Sequence, residues 1–294
     1  MPTVSIIIPT CNRPEFLKRA IRSVLAQTYQ DFEIVVIDDG TEERAESVVA
    51  GFHDPRIRYL KNETRLGGGG TRNRGIKKVR APFIAFLDDD DEWLPEKLEV
   101  QMSQFVNTPQ DVGFCFTGAR IETDERVEIT SAMNGINDLS MTALLRFKGF
   151  LTSTLIVKRA VFDDAGLFDE SLPSHQEAEL ILRITRKYKG LGIDRPLIIM
   201  DMRAHDHIGG DLARRIRGKE LVLLKHAALY AKHPRALSQQ YFWLALWCRD
   251  SGDKAKARSY FWKAFRLSGN PRYLAHAFLA AFSRDTLMST RTSS

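Results

Sequence analysis

Short apolar runs alternate with amphipathic segments along the first 110 residues of the chain. The runs are rich in β-branched residues and end at Pro, Gly or Asp, which predicts buried strands. The segments between them place apolar residues at helical spacing. The pattern predicts strands at 4–9, 32–37, 57–60 and 83–87, and helices at 15–26, at 42–50 and from residue 67 onward. This alternation is typical of a mostly parallel, Rossmann-type α/β sheet flanked by helices, whose ligands bind beyond the carboxyl ends of the strands.

The hydrophobic pattern changes near residue 112 and again near residue 210. Between these points it predicts strands at 112–116, 154–157 and 197–200, with a helix at 177–187. After Gly209-Gly210 the apolar positions recur almost everywhere at helical spacing, with helices predicted at 237–250, 254–267 and 272–282. We therefore expect an α/β domain at 1–210 and a helical C-terminal extension at 211–294.

The composition is that of an ordinary globular chain. Its 294 residues are 44% hydrophobic and 27% charged, and no apolar run approaches the about 18 residues of a transmembrane helix. The start lacks a basic segment and is broken by Pro9, so we expect no signal peptide. The three cysteines are widely spaced and form no CxxC pair, which argues against disulfides and a cysteine zinc site. We expect a soluble protein of the cytoplasm.

The net positive charge of the chain comes entirely from the helical extension. Residues 211–294 hold 16 Lys and Arg against 5 Asp and Glu, whereas residues 1–210 hold 27 against 32. The basic side chains of 254–266 indicate a basic helical face, which has two interpretations: contact with the anionic inner face of the membrane, or a solvated surface. The aromatic residues nearby are spaced for helix packing rather than base stacking, so we expect no nucleic acid partner.

Four consecutive aspartates follow the predicted strand at 83–87. Carboxylates from Asp88 to Asp91 repel one another unless a cation neutralises them, and oxygen ligands suit Mg²⁺ or Mn²⁺. The alternative is a solvated acidic turn at the start of a helix that begins at Pro95, where acids interact favourably with the helix dipole. The pattern therefore predicts a divalent metal site and leaves the capping turn open.

Two further motifs lie near predicted strand ends. Asp38-Asp39-Gly40 closes the second strand, where an aspartate can accept hydrogen bonds from a ribose or a base, or can cap a helix. The four glycines at 67–70 precede Arg72, which joins backbone amides to a cation suited to phosphate. A flexible turn with a solvent-facing arginine explains the second motif equally well.

The ordered set of these motifs resembles the family 2 glycosyltransferases. The resemblance rests on Pro9-Thr10-x-Asn12-Arg13, the Asp38-Asp39-Gly40 turn, the segment 67–73 and the Asp88-x-Asp90-Asp91 motif, and it covers about residues 3–205. It implies a GT-A fold, a nucleoside diphosphate sugar donor and inversion at the anomeric carbon. It also implies a nucleotide-sugar half at about 1–118 and an acceptor half at about 119–210.

The resemblance also implies roles for individual residues. It places the nucleotide sugar against Pro9, Thr10, Asn12, Arg13, Asp39, Gly67, Arg72, Asp88 and Asp89. It makes Asp90 the direct ligand of Mn²⁺ or Mg²⁺, with Asp88 as the second carboxylate of the DxD-type motif. His205, in an Arg-x-His segment, would reach the metal or the pyrophosphate, and His207 is a weaker candidate.

The resemblance places the catalytic base at the start of a later helix. Glu177 stands where the family usually has Asp, and Glu179 takes the second acidic position. A glutamate can accept the proton of the acceptor hydroxyl, but its additional methylene displaces the carboxylate by about 1.5 Å. An alternative is that both acids serve the N-terminal dipole of this helix. His175 lies beside them and is a candidate for acceptor binding.

The sequence thus favours a metal-dependent inverting glycosyltransferase of bacterial surface glycan biosynthesis. We expect a UDP-sugar donor first and a glycan or lipid-linked acceptor. Two alternatives stay open. A nucleotidyltransferase also needs carboxylates and a phosphate loop, although no Gly-rich basic loop follows the first strand. A catalytically inactive nucleotide-sugar-binding or scaffold protein would explain the glutamate at position 177.

Overall fold

A computed structural model describes residues 1–41, 44–145, 150–203 and 211–282, with the backbone alone at residues 44 and 277–282. The described strands are β1 (Val4–Thr10), β2 (Phe32–Asp38), β3 (Ile57–Lys61), β4 (Phe83–Phe86), β5 (Asp91–Trp93), β6 (Val112–Glu122), β7 (Val127–Thr130), β8 (Gly135–Asn137), β9 (Ile156–Lys158) and β10 (Lys189–Asp201). The helices up to residue 201 are α1 (Pro14–Leu25), α2 (Arg44–Ala50), α3 (Gly67–Lys78), α4 (Lys97–Phe105), α5 (Ser140–Leu145), α6 (Ala160–Ala165) and α7 (Gln176–Ile184). The later helices are α8 (Leu212–Lys225), α9 (Ala227–Ala231), α10 (Pro234–Asp250), α11 (Lys254–Ser268) and α12 (Pro271–Phe282).

The chain divides into two compact units, Met1–His207 and Ile208–Ser294. The first holds a sheet in the order β3-β2-β1-β4-β9-β6-β10-β5, with β7 beside β6 and β8 beside β10. The longest pairings, β6 with β10 and β2 with β1 and β3, are parallel. Antiparallel pairings add β5, β7, β8 and β9. The predicted fold class, a mostly parallel α/β sheet flanked by helices with C-terminal helices, is confirmed.

The core of the first unit follows from the apolar runs that predict its strands. Ile6, Ile7, Val35 and Val36 are fully buried, as expected for parallel strands that are covered on both faces. Helix α3 approaches β1 closely at Gly75, where an added Cβ would lie 2.6 Å from the Ile7 side chain. Only glycine allows that approach, which fixes the glycine-rich helix beside the carboxyl end of β1.

The second unit consists of helices in its described part. Helices α10 and α11 form an antiparallel pair around Leu244, Cys248, Ala257, Phe261 and Ala264, all of which are fully buried. Asp211 and Asp253 cap α8 and α11 by accepting backbone N–H bonds. Among the described residues, no helix combines the length and the apolar character needed to span a membrane.

Several element boundaries differ from the predictions. The helix predicted at 177–187 is the shorter α7, because the chain turns after Ile184 and enters β10 at Lys189. The strand predicted at 197–200 is the end of that longer strand, which tolerates Pro196 because its pairing with β6 bulges there. The helix predicted from Pro95 begins at Lys97, because the backbone of Leu94 still pairs with Leu197.

Candidate active site

The carboxyl ends of three neighbouring strands bring the first set of predicted residues together. Strand β1 lies between β2 and β4, and Thr10 at its end is paired in register with Asp38 at the end of β2. The aspartates after β4 start one residue beyond Leu87, whose N–H donates to Ile7 of β1. Three motifs that are distant in sequence therefore share one edge of the sheet, where ligands of parallel α/β sheets bind.

Arg13 joins the loop after β1 to the aspartates after β4. Its Nη1 donates to Asp90 Oδ2 at 2.9 Å, and its Nη2 is bonded to Asp89. Asp89 also accepts a hydrogen bond of 2.7 Å from Thr10 Oγ1 and is 1% exposed. The Asp89 carboxylate therefore holds two loops together inside the protein, and its predicted contact with the nucleotide stays a prediction.

The aspartate segment has four carboxyl groups and is paired with two arginines. Burial, which outweighs the charge of Arg13, raises the pKa of Asp89 to about 7. Burial together with the charges of Asp88 and Asp90 raises the pKa of Asp91 well above its usual range. The side chains of Asp88 and Asp90 are more open, at 30% and 16% exposed. Two partly exposed carboxylates fit a divalent cation that keeps water and phosphate ligands.

The carboxylates, thiols and imidazoles of the described residues form no ready-made metal cage. Among them, no group of three or more His, Cys, Asp or Glu side chains is arranged to hold an ion. An ion at Asp88 and Asp90 would therefore need the substrate to complete its ligand shell, as is usual for Mg²⁺ at phosphate sites. His205 and His207, the other predicted candidates, lie outside the described residues.

The acidic turn after β2 accepts hydrogen bonds from uncharged donors. Asp39 Oδ1 accepts from Asn62 Nδ2 and from the N–H of Leu66, both at 2.7 Å, and its Oδ2 accepts from the N–H of Gly67 at 2.8 Å. Asp38 accepts from the hydroxyl of Tyr59 at 2.8 Å. Asp39 thus caps α3, where its charge favours the N-terminal dipole.

Helix α3 begins at Gly67, whose φ of 71° is a left-handed conformation that favours glycine. The Gly67 N–H is bonded to Asp39, so the amide predicted to cradle a phosphate already has an acceptor. An added Cβ at Gly68 would lie 3.0 Å from Arg72 Nη1 and 3.4 Å from Gln176 Oε1. The first turns of α3 and α7 therefore lie side by side, with the Arg72 guanidinium between them.

Arg72 provides a buried cation at the centre of the site. Its Nη2 is bonded to Asp88, and its guanidinium lies over the ring of Phe168. Burial lowers the pKa of Arg72, but the charges of Asp88, Glu177 and Asp89 outweigh that effect and the net shift is upward. The buried Arg72 Nε–H has no hydrogen-bond acceptor among the residues that the structure describes. An unpaired buried donor is costly, so an anionic ligand such as a phosphate fits this position.

Glu177 faces the same group of charges from the N-terminus of α7. Burial raises its pKa, while its own backbone N–H and the charge of Arg72 lower it and Asp88 raises it, for a net upward shift. Glu179, in contrast, is fully buried and is held by Arg183, whose Nε donates to Oε1 at 2.9 Å and whose Nη2 donates to Oε2 at 2.8 Å. Of the two acids, Glu177 lies beside the aspartate motif and Glu179 supports the helix.

The sequence assigns no role to Asn73, which connects α3 to the segment before α7. Its Nδ2 donates to the carbonyl of Phe168 at 2.9 Å and to Glu170 Oε1 at 2.8 Å, and its Oδ1 accepts from the N–H of Phe168. These bonds position the approach to Glu177. The residue belongs to the motif at 67–73, but its partners lie almost a hundred residues further on, where no local pattern reveals them.

Two residues of the site have unusual backbone conformations. Asn12 has φ of 56°, and its Oδ1 accepts from the N–H of Thr41. His175, the N-cap of α7, has φ of 62°, and its Nδ1 is hydrogen-bonded to Ser174 Oγ. Left-handed backbone is uncommon outside glycine, although Asn and His adopt it more readily than most residues, and it often occurs at functional sites. Pro9 lies within β1 beside this region.

The sequence is similar to known sugar-transferring proteins. The profile of "Glycosyl transferase family 2" matches residues 5–167. An uncharacterized glycosyltransferase of Rickettsia felis is 31% identical over 191 residues, which cover 63% of this chain and 32% of that relative. The UDP-Glc:alpha-D-GlcNAc-diphosphoundecaprenol beta-1,3-glucosyltransferase WfaP of Escherichia coli is 29% identical over 237 residues, covering 79% of this chain and 90% of the relative. The chain spans about a third of the length of the relatives from Rickettsia felis, Rickettsia conorii and Rickettsia bellii that it matches.

The fold is similar to that of two solved proteins. TarS 1–349 of S. aureus superposes with a TM-score of 0.67 at 16% identity, covering 96% of this chain and 87% of that one. The mannosyltransferase PcManGT of Pyrobaculum calidifontis, in complex with GDP-Man and Mn²⁺, superposes with a TM-score of 0.60 at 17% identity, covering 95% and 79%. At such identities the likeness establishes the shared fold.

Proposed function

This chain belongs to glycosyltransferase family 2, and from that premise we propose that it is an inverting, metal-dependent transferase of a sugar from a nucleoside diphosphate to a hydroxyl acceptor. The observation that carries the proposal is the group formed by Asp88, Arg72 and Glu177. Asp88 is a carboxylate suited to a metal ion, Arg72 is suited to a phosphate, and Glu177 is a carboxylate with a raised pKa. Their charges interact at one edge of the sheet. Each supplies one of the roles that such a transfer requires.

Donor binding uses the residues around the first three strand ends. Arg72 exchanges Asp88 for the diphosphate and presents its unpaired Nε–H to a phosphate oxygen. Asp39 has two carboxylate oxygens engaged by α3 and Asn62, and it accepts one further N–H from the base. Pro9, Thr10, Asn12, Arg13, Gly67 and Asp89 form the walls of this nucleotide site.

The metal of this proposal is Mn²⁺ or Mg²⁺, held by Asp90 with Asp88. When bound, such an ion offsets the negative charge that develops on the departing diphosphate. The two carboxylates are accessible, and their partners are arginine side chains that can turn to the substrate instead. The Mn²⁺ in the complex of PcManGT supports this choice of ion.

Glu177 is the general base of the proposed reaction. Its carboxylate accepts the proton of the acceptor hydroxyl while that oxygen forms a bond to the anomeric carbon. The bond between this carbon and the diphosphate oxygen breaks at the same time, and the electron pair leaves with the nucleoside diphosphate. Attack from the opposite face inverts the anomeric centre. The raised pKa of Glu177 makes it a stronger base than an exposed glutamate.

The proposed substrates follow from the relatives. We propose a UDP-sugar as the first donor to test, and a GDP-sugar as the second, since the solved neighbours were crystallised with UDP-GlcNAc or GDP-Man. The proposed acceptor is a glycan or a lipid-linked sugar, as the name of WfaP indicates for that enzyme. The proposed process is the synthesis of a bacterial surface glycan.

The test of this function is turnover of nucleotide sugars by the full chain with Mn²⁺. UDP-, GDP- and dTDP-sugars are incubated with glycan and lipid-linked acceptors, and release of the nucleoside diphosphate is measured. We expect release with one donor class and its loss when the ion is chelated. Pyrophosphate release from a nucleoside triphosphate would instead indicate a nucleotidyltransferase. Donor binding without transfer to any acceptor would indicate an inactive binding protein.

We also propose that the helical extension, taken as 211–294, contacts the anionic inner face of the membrane. The exposed face of α11 carries Arg258, Lys263 and Arg266 around Trp262, which is 49% exposed and 5.5 Å from the ring of Phe265. A tryptophan among basic side chains suits the headgroup region, and each cation contributes about 1 kcal/mol near anionic lipid. This placement makes the protein a peripheral one at the cytoplasmic side.

Vesicle co-sedimentation tests the membrane contact. The full chain should pellet with vesicles that contain phosphatidylglycerol and stay in solution with neutral ones. Replacing Arg258, Lys263 and Arg266 together by Gln should abolish the difference, whereas the same change at Arg120, Arg126 and Arg195 of the first unit should preserve it. Equal pelleting on both kinds of vesicle would contradict the contact.

A further inference from the structure

One buried hydroxyl contacts the aspartate segment from a distant part of the chain. Ser153 lies in a 3-10 turn, Thr152–Thr154, and its side chain is 1% exposed. Its Oγ donates to Asp91 Oδ2 and accepts the backbone N–H of Asp88 at 3.1 Å. A hydroxyl has one donor and two acceptor positions, so both bonds form at once. Ser153 therefore ties the two ends of the segment 88–91 to one atom.

The 3-10 turn is itself held by side chains that approach from α4 and β5. The carbonyl of Ser153 accepts from Trp93 Nε1 at 2.9 Å, and that of Thr154 accepts from Gln101 Nε2 at 3.0 Å. Gln101 Oε1 accepts from the fully buried Lys97 Nζ, which lies 3.9 Å from the centre of the Trp93 ring. The backbone of the turn is thus fixed on both sides of the hydroxyl, and Ser153 has a rigid support.

We propose that Ser153 is a positioning residue, which sets the backbone at Asp88 and the side chain at Asp91 so that Asp88 and Asp90 face the donor. It contacts neither donor nor metal, and it acts through the two residues that flank Asp89 and Asp90. The inference rests on the proposed function, because it assigns a purpose to the shape of that segment. Without the hydroxyl, the Asp88 N–H and the Asp91 carboxylate each lose a buried partner, and the segment relaxes.

The same turn offers a matched control. Thr154 is also 1% exposed, but its hydroxyl donates to the carbonyl of Leu151, within the turn, at 2.7 Å. Thr154→Val removes a buried hydroxyl from the turn without touching the aspartates, whereas Ser153→Ala removes the one that does. A merely structural role for Ser153 predicts the same behaviour of the two variants.

The experiment combines ligand binding with amide exchange. UDP and GDP are titrated calorimetrically into the full chain with Mn²⁺, and the Asp88 amide is followed by hydrogen exchange. We expect Ser153→Ala to weaken nucleotide binding about tenfold and to accelerate exchange at Asp88. Thr154→Val should bind within about twofold of wild type, since its lost bond is local.

The outcomes separate this inference from the function on which it rests. Equal binding by the two variants, or unchanged exchange at Asp88 in Ser153→Ala, overturns the inference while wild-type binding upholds the function. A wild type that binds neither UDP nor GDP overturns the proposed function, and the exchange rate then decides alone whether Ser153 sets the segment.

Discussion

The two acidic strand ends of the sheet are similar in sequence and different in chemistry. Asp39, at the end of β2, is bonded to backbone amides and to Asn62, all of them neutral donors. Asp88, Asp89 and Asp90, after β4, are bonded to the charged side chains of Arg13 and Arg72. The turn after β2 fixes the start of α3. In the segment after β4, arginines pair with aspartates, and a phosphate and a metal ion can replace these partners.

The difference indicates which carboxylates are fixed by the fold and which can exchange their partners for a substrate. Backbone amides cannot leave Asp39 without unwinding the first turn of α3, so this carboxylate is fixed. An arginine side chain can turn from Asp88 or Asp90 to a phosphate, because its donors suit both anions equally. We therefore expect substitutions after β4 to lower activity and those after β2 to lower stability as well, and the predictions below begin with this contrast.

The largest expected effect is that of Asp90→Asn. Removing this carboxylate should lower kcat/KM about 10³-fold, because charge stabilisation by a metal contributes several kcal/mol. Stability should change little, because Arg13 loses its ion pair with Asp90 but keeps the one with Asp89. Steady-state kinetics and urea unfolding of the same preparation measure both.

The control for Asp90→Asn is Glu92→Gln. Glu92 lies two residues further on, is 39% exposed and pairs with Arg19 rather than with the site arginines. It should keep near wild-type activity. Full activity of Asp90→Asn would contradict the proposal that this segment binds the metal.

The next effect separates Glu177 from Glu179. Glu177→Gln should lower kcat about 10²-fold, in the lower range for loss of a general base, with donor binding retained. Glu179→Gln breaks a buried pair with Arg183 and should instead cost about 3 kcal/mol of the free energy of unfolding. Kinetics beside urea unfolding distinguish the two results, and a reversal of them would exchange the roles of the two acids.

The pH profile provides a second test of Glu177. A base loses activity when it is protonated, so kcat/KM should fall as the pH falls through the pKa of Glu177. Burial raises that pKa above its ordinary value of 4.5, which moves the acid limb to a higher pH than for an exposed glutamate. Glu177→Gln should lack this limb. An unchanged acid limb in the variant would assign it to another group.

The sequence predicts the first half of the sheet better than the second. Strands β1, β2, β3 and β4 are apolar runs bounded by turn residues, so each is visible locally. Strands β5, β7 and β8 and helices α5 and α6 have three to six residues. Such lengths are too short to show a period. The three strands form because longer strands are available to pair with them.

The candidate site, too, can be predicted from the sequence only in part. The motif residues are recognisable because they follow strands, but their partners are set by tertiary structure. No local pattern indicates that Asp39 caps α3, that Ser153 reaches Asp88, or that Glu179 is buried with Arg183. The sequence treats Glu177 and Glu179 as alternatives, and only burial and partners separate them.

Asp39→Asn tests the other side of the comparison. An asparagine has one acceptor oxygen, so its amide would face one of the N–H groups of Leu66 and Gly67. We expect a loss of about 2 kcal/mol in the free energy of unfolding, because buried donors lose their acceptor. Urea unfolding measures this, and a variant as stable as wild type would contradict the structural role of the turn after β2.

The smallest expected effect concerns Lys97, which lies beneath the aspartate segment. Burial, against the opposing charge of Cys115, lowers its pKa from 10.5 to about 7. Between these values the unfolded chain binds more protons than the folded one, so the free energy of unfolding should rise with pH from 7 to 9. Lys97→Met should lose about 1 kcal/mol of that rise between pH 7 and 8. Unfolding at pH 7, 8 and 9 measures it, and equal slopes would contradict a buried amine.

The most direct test of the central claim is calorimetric titration of UDP and GDP into the wild type and Asp90→Asn, with and without Mn²⁺. The wild type should bind one nucleoside diphosphate at least about tenfold more tightly with Mn²⁺. Asp90→Asn should lose that dependence and keep its fold. Binding of neither nucleotide by the wild type, or an equal effect of Mn²⁺ on both proteins, would contradict a metal-dependent nucleotide-sugar site at the end of β4.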